Sequence, residues 1–224
     1  MLNAALVIAA KDMKLMAGRG GPVLRPLLLG LLLVTLFSLS LGAGANITAE
    51  TASAVFWLSS AFCLTILMTA LFDLEETGKA RMGLLLAPIP VQAVWLGKSL
   101  AGLGLMLLIQ TVLLAASLIL CNMTWAGSVP LALGGVILVD IGIVGLGALL
   151  ASLTGGQTAR ESLCSLVVFP LLVPQLLAGI RLLAALYDAA ATDAAQWLGI
   201  TAAFDAIFIA AALVLFPVLF GGEN

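Results

Sequence analysis

Six long apolar runs separated by short gaps constrain this 224-residue chain more than any other feature of its sequence. A bilayer core about 30 Å thick needs roughly 20 apolar residues to span it as a helix. The runs predict transmembrane helices at residues 26–42, 53–72, 99–120, 129–153, 162–187 and 197–220. The mean hydropathy of +1.25 agrees with this prediction. We therefore expect an all-α integral membrane protein made of a single transmembrane domain over residues 1–224.

The basic residues alternate from gap to gap. Eight of the nine lie before the first run, in the second gap or in the fourth gap: Lys11, Lys14, Arg19, Arg25, Lys79, Arg81, Lys98 and Arg160. The first, third and fifth gaps hold no lysine or arginine. Because cytoplasmic loops of membrane proteins are enriched in these residues, the pattern places both termini in the cytoplasm.

Residues 2–17 predict a helix that lies in the membrane interface rather than across it. Its apolar side chains recur at helical spacing: Leu2, Leu6, Ala9, Met13 and Met16. Lys11, Asp12 and Lys14 are placed to reach lipid headgroups. The lysines follow the short apolar stretch instead of preceding it, so we do not expect a cleavable signal peptide.

The second gap, residues 73–90, differs from the other short loops and is called the coupling segment below. Its charged residues are Asp73, Glu75, Glu76, Lys79 and Arg81, and the apolar run Leu84, Leu85 and Leu86 follows them. We expect a short amphipathic helix over residues 73–87 that Pro88 helps to end, since proline lacks an amide donor. A docking element for a cytoplasmic subunit is the functional interpretation. A plain solvated connector is the alternative.

Several kinds of chemistry are excluded by composition or spacing. The chain has no histidine, which excludes zinc sites built on histidine, serine–histidine hydrolysis and histidine ligation of haem by this chain. Gly97-Lys98-Ser99 resembles the end of a phosphate-binding loop, but the required upstream glycine is Gln92. The three cysteines form no CxxC pair and imply no disulfide. No catalytic or metal site is predicted.

Three ionisable residues fall inside predicted spans. Asp140 lies at the middle of the fourth, Asp205 about a third of the way into the sixth, and Arg181 in the outer half of the fifth. A carboxylate at the bilayer centre costs roughly 2.5–3.5 kcal/mol on insertion scales. We expect Arg181 to pair with one of the two aspartates. The alternative is a polar element of a substrate or proton path.

Two prolines, Pro170 and Pro174, interrupt the fifth span. Each frees a backbone carbonyl, which a membrane tolerates only where protein or water can satisfy it. The spacing predicts a kinked helix that lines a pathway or a subunit interface.

Two local stretches, taken together, are similar to a known family. One runs from Leu71-Phe72 through Leu84-Leu85-Leu86-Ala87-Pro88-Ile89-Pro90 to Lys98, and the other is Phe169-Pro170-Leu171-Leu172-Val173-Pro174. With the size, the six spans and the inward termini, they resemble the CcmB family of haem exporter permeases, subunits of the cytochrome c maturation ABC transporter. Met82 departs from the family pattern, which usually has an acidic residue there.

The resemblance implies a type-2 ABC exporter permease of the bacterial inner membrane, non-catalytic and with no cofactor of its own. It implies that residues 73–88 dock onto a cytoplasmic ABC ATPase subunit, which binds ATP. Further implied partners are a haem-handling membrane subunit, a small membrane subunit and a second copy of this chain, but no nucleic acid. ATP hydrolysis would drive haem delivery, or release of a haem-loaded chaperone, at the periplasmic face.

Other functions remain open at this stage. The chain has the features of a permease for another ABC export substrate, such as a lipid-linked sugar, a drug or an ion. An ion-coupled secondary transporter would use Asp140 and Asp205. A membrane scaffold without transport activity is the remaining alternative.

Overall fold

The structure is a computed structural model that describes residues 1–18, 22–41, 47–76, 83–84, 86–154, 158–188 and 194–221. Inside the helices, the side chains of residues 76, 153–154, 158–171 and 218–221 lie outside this description. The described ranges form an all-helical protein without a strand. The helices are α1 (Leu2–Gly18), α2 (Leu24–Ser40), α3 (Ala49–Glu76), α4 (Val91–Leu120), α5 (Val129–Thr154), α6 (Thr158–Tyr187) and α7 (Ala194–Gly221).

Four of the described helices are long and apolar enough to cross a membrane: α3, α4, α5 and α7. Helix α2 and the described part of α6, Leu172–Tyr187, are apolar but shorter. Helices α2–α7 follow the order of the six predicted spans, and the count of six crossings stays a prediction. Helices α3 and α4 extend beyond the apolar runs, since α4 begins at Val91 rather than near residue 99. The apolar runs underestimate the length of these helices, because a helix can continue past the apolar run into residues such as Lys98.

Helices α3 and α4 run antiparallel, and a glycine lies at their contact. Gly102 of α4 lies against Met68 of α3, while the Glu75 end of α3 lies beside Lys98 near the start of α4. Helix α5 packs against both α6 and α7, and α3 also contacts α4, α5 and α6. The central helices α3, α4 and α5 therefore form the core on which the others pack.

Helix α1 lies along α4 instead of standing apart from the bundle. Its buried face consists of Ala5, Ile8, Ala9, Asp12 and Met16. Leu2, Leu6 and Met13 are exposed, whereas Ala9 and Met16 of the predicted apolar set are buried against the bundle. Asp12 does not face headgroups as predicted, because it turns inward to the buried Lys98. The membrane depth of α1 stays a prediction.

Helix α6 passes through both Pro170 and Pro174 as one assigned helix. The predicted kink therefore does not interrupt the helix, and the extent of bending stays a prediction. The side chain of Pro170 lies outside the described residues, whereas Pro174 is partly buried. The next residue, Gln175, is fully buried and begins the polar contacts of this helix.

Candidate functional site at the junction of helices α3 and α4

The coupling segment is described at its two ends. Asp73 and Glu75 belong to the last turns of α3, not to a separate surface helix as predicted. Gly83, Leu84 and Leu86 are helical, and a bend follows in which Ile89 N donates to Ala87 O at 2.7 Å. Lys79, Arg81, Leu85 and the side chain of Glu76 lie outside the described residues, and so does their predicted docking role.

Among the described residues of the second half of the segment, Leu86 and two prolines are exposed. Leu84 and Ile89 pack against the core, whereas Leu86 is 80% exposed and Pro88 and Pro90 are exposed. Pro90 is the N-cap of α4 and fixes where the helix begins. The segment is thus anchored by two residues and leaves Leu86 available to a partner.

A charge cluster that is largely buried joins the start of the coupling segment to α1 and α4. It consists of Lys11, Asp12, Glu75 and Lys98. The ammonium group of Lys98 is 3.0 Å from Glu75 Oε1 and 3.3 Å from Asp12 Oδ2. It also donates to Leu71 O at 2.9 Å. Lys98 and Asp12 are fully buried, and Glu75 is 2% exposed. A buried charge is tolerated when it is paired and hydrogen-bonded, and Lys98 meets both conditions.

Lys11 completes the cluster from its outer side. Its ammonium group is 2.9 Å from Asp12 Oδ1 and 3.4 Å from Glu75 Oε1, and its side chain is partly exposed. Partial burial lowers the pKa of Lys11, but the carboxylates of Asp12 and Glu75 outweigh this and raise it above its usual value. Lys11 is therefore charged at neutral pH. Two cations then balance two carboxylates within the cluster.

An aromatic ring forms one wall of the cluster. The Lys98 ammonium lies 4.7 Å from the centroid of the Phe72 ring. A cation over an aromatic face is attracted by the ring quadrupole. The Phe72 ring in turn meets Phe216 of α7 edge-on, at 6.5 Å between centroids. The cluster therefore joins α1, α3 and α4 directly and reaches α7 through this ring pair.

Gly97 explains how α1 comes close enough to α4 for Asp12 to reach Lys98. A Cβ at position 97 would lie 2.8 Å from Ala5 O and 2.8 Å from Ile8 Cβ. Both atoms belong to α1, and the backbone oxygen has no room to move aside. The Gly97-Lys98 pair therefore has a structural role, with the glycine admitting α1 and the lysine binding it.

The sequence pattern does not predict this cluster. It places Glu75 among charges that face a partner, and the structure corrects this, because the carboxylate is buried against Lys98. It also places Lys11 and Asp12 within reach of lipid headgroups, whereas Asp12 is fully buried. The available signal was the position of Lys98 after Pro90, about two turns inside a helix and away from its solvated end.

Two amide–carboxylate pairs lie deeper in the bundle. Gln110 Nε2 of α4 donates to Asp140 Oδ1 of α5 at 2.9 Å, and Gln175 Nε2 of α6 donates to Asp205 Oδ1 of α7 at 2.5 Å. All four side chains are buried. Gly142 of α5 makes room for the second pair, since a Cβ there would overlap the Asp205 carboxylate and the Gln175 amide. Each pair joins two consecutive helices.

The predicted pairing of Arg181 with Asp140 or Asp205 is wrong. Arg181 Nη1 instead lies 3.4 Å from Glu50 Oε1, and both side chains are about half exposed. Gln110 and Gln175 were not predicted as the partners of the aspartates. Each is a single amide in a long apolar run, and this could have indicated a partner, because a buried carboxylate needs a hydrogen-bond donor.

No metal site is found in the described part of the chain, where no group of three histidine, cysteine or acidic residues is placed to hold an ion. Cys63 and Cys121 are buried free thiols. Cys63 Sγ donates to Pro26 O at 2.9 Å and so helps to hold α2 against α3. Its role is structural.

The long apolar helices and the polar groups enclosed between them define an integral membrane protein of the helical-bundle class. Residues 3–220 match the family model described as CcmB protein. The chain belongs to the CcmB family, as the sequence resemblance predicted. It is similar to Heme exporter protein B of Haemophilus influenzae, with 29% identity over 180 residues that cover 77% of each chain.

Proposed function

We propose that this chain is the membrane-spanning permease subunit of an ABC transporter that exports haem for cytochrome c biogenesis. The observation that carries the proposal is the family match over residues 3–220. The relative from Haemophilus influenzae, named a heme exporter, supplies the substrate class. Haem is the cargo of the complex in this proposal, and the chain itself has no catalytic role.

The energy source is a separate cytoplasmic ATPase that binds ATP and docks on the coupling segment. The position of the segment between two long helices, with Leu86 exposed and Leu84 and Ile89 packed against the core, supports this assignment. Leu86 and Pro88 are the described members of that surface. The docking roles of Glu76, Lys79, Arg81 and Leu85 belong to the same proposal.

The orientation follows from the distribution of basic residues. Lys11 and Lys98 both contact Glu75 at the end of the bundle where α3 ends and α4 begins. The Glu50–Arg181 pair joins the start of α3 to the last turns of α6 at the other end. The positive-inside rule places the first end in the cytoplasm. The protein is then a multi-pass component of the bacterial inner membrane, with six crossings and both termini inside.

The assembly would contain two copies of this chain with the ATPase, a haem-handling membrane subunit and a small membrane subunit. Six spans make half of an ABC permease, which is the reason for two copies. Histidine ligands for haem iron would come from the other subunits, because this chain has no histidine. The work done is haem delivery or release of a haem-loaded chaperone at the periplasmic face.

The proposal is tested by expressing the chain with a cytoplasmic ABC ATPase from the same organism and comparing Leu86→Asp with Leu39→Asp. The two leucines are 80% and 81% exposed, but Leu39 lies at the opposite end of the bundle. We expect Leu86→Asp to abolish co-purification of the ATPase and formation of c-type cytochromes, and Leu39→Asp to retain both. Retention of the ATPase by Leu86→Asp would contradict the docking site. Transport driven by a proton gradient without ATP would contradict the ABC assignment.

A further inference from the structure

The coupling segment is a loop whose two flanking helices are fastened together at its base. Glu75 lies in the last turn of α3, where the segment begins, and Lys98 lies in the second turn of α4, after the segment ends. Their side chains meet at 3.0 Å with both groups buried. Any displacement of the segment must therefore move both helix ends together or break this contact.

The same lysine fastens a third helix that is remote in sequence. Lys98 Nζ is 3.3 Å from Asp12 Oδ2, which brings α1 into the contact. Gly97 lets α1 approach, so the ion pair and the close backbone contact lie side by side. Helix α1 also packs along α4 through Ala5 and Ile8, and the ion pair adds a link from α1 through Lys98 to Glu75 of α3.

We propose that Lys98 is a positioning residue for energy coupling: the Glu75–Lys98–Asp12 contact makes α1, α3 and α4 move as one body with the coupling segment. This inference rests on the proposed function, because it supposes that the segment receives force from an ATPase. It goes further in assigning the transmission to one buried lysine and its two carboxylates. Docking itself is assigned to exposed residues such as Leu86 and does not require Lys98.

Because the contact is buried, it can transmit a movement of the coupling segment to the three helices. An exposed ion pair exchanges with water and is weakened by salt, whereas a buried one keeps a fixed geometry. The hydrogen bond to Leu71 O and the Phe72 ring hold the ammonium from two further sides. Lys98 has no room to move without leaving two carboxylates buried and dependent on Lys11 alone.

The test uses the double variant Glu75→Leu/Lys98→Leu in the complex with the ATPase. Replacing both members with leucine leaves no unpaired charge, because Asp12 keeps Lys11 at 2.9 Å. Exchanging a buried pair for apolar residues of similar volume is often neutral for folding. The matched control is Glu50→Leu/Arg181→Leu, which removes the ion pair at the opposite end.

Two measurements are made on each variant. Amide hydrogen exchange reports whether α1 and the last turns of α3 loosen, and the c-type cytochrome formed per ATP hydrolysed reports coupling. We expect faster exchange in both places, with the ATPase still bound and hydrolysing ATP. The yield of c-type cytochrome per ATP should fall severalfold, because ATP is still hydrolysed while the three helices no longer move as one body. The control should change neither quantity.

Three outcomes would overturn the inference. Unchanged exchange in α1 and α3 would show that the contact does not fasten the helices. Faster exchange with an unchanged yield per ATP would show that the contact has no role in coupling. Loss of the ATPase from the double variant would make Lys98 part of docking. Failure of the wild-type chain to bind any ATPase would instead overturn the proposed function, and hydrogen exchange would still decide whether the helices are fastened.

Discussion

Lys98 and Glu75 form an ion pair at 3.0 Å in which neither side chain has appreciable contact with solvent. The pair connects the end of α3 to the start of α4, and Asp12 joins it from α1. Three helices are therefore joined by buried charges at the end of the bundle where the coupling segment lies.

Removing the lysine alone should destabilise the protein strongly. Lys98→Met leaves Asp12 and Glu75 buried with only the partly exposed Lys11 to balance them. Breaking a buried pair by deleting one partner costs about 3–5 kcal/mol. We expect a large fall in Tm in detergent. The control is Lys14→Met, which removes an exposed lysine from α1 and should leave Tm nearly unchanged. Equal Tm values for both variants would contradict the structural role of Lys98.

A side chain at position 97 should push α1 away from α4. In Gly97→Ala the new methyl group would lie 2.8 Å from a backbone oxygen of α1. Overpacking of this kind typically costs about 1–3 kcal/mol. We expect lower stability and faster proteolysis within residues 2–18. Gly134→Ala is the matched control, since its Cβ meets nothing within 4 Å. Protection of α1 equal to that in wild type would rule out the close approach.

The Gln110–Asp140 pair should show coupling in a double-mutant cycle. Gln110→Leu removes the donor to Asp140, and Asp140→Leu removes its acceptor. Hydrogen bonds between membrane helices contribute about 0.6 kcal/mol on average and about 1–2 kcal/mol in model peptides. We expect a coupling free energy of unfolding in that range, with the double variant more stable than the sum of the single changes allows. Strict additivity would mean that the pair does not stabilise the bundle.

The Glu50–Arg181 pair should contribute little. Both side chains are about half exposed, and their atoms are 3.4 Å apart. Exposed ion pairs contribute about 0–1 kcal/mol and are screened by salt. We expect Glu50→Gln, Arg181→Gln and the double variant to unfold at nearly the same denaturant concentration. A large loss at low salt that disappears at high salt would show a stronger interaction than this geometry allows.

The helices and their order could be predicted from apolar runs, because the bilayer fixes both composition and length. The face of α1 could not, since its orientation depends on Asp12 finding a lysine 86 positions away. The partners of Asp140 and Asp205 are also distant in sequence, 30 positions in each case. The expectation that buried aspartates need partners is correct. The predicted partner, Arg181, is wrong, because a glutamine amide can donate the hydrogen bond without bringing a second charge.

Burial also limits how far the tryptophans could be interpreted. The sequence places all four tryptophans, Trp57, Trp95, Trp125 and Trp197, near predicted span ends, where an aromatic belt would face lipid headgroups. Trp57 and Trp95 are instead enclosed: Trp57 packs on Gly179, and Trp95 Nε1 donates to Gly145 O at 3.2 Å. Trp125 is exposed. The position of a tryptophan along a span does not show which side of the helix it faces.

The order of residues along the chain bears on how the protein is made. Asp12 and Glu75 are translated before Lys98, so both anions are already in the nascent chain when the cation leaves the ribosome. Both carboxylates that contact Lys98 are therefore available to pair with it when α4 enters the membrane.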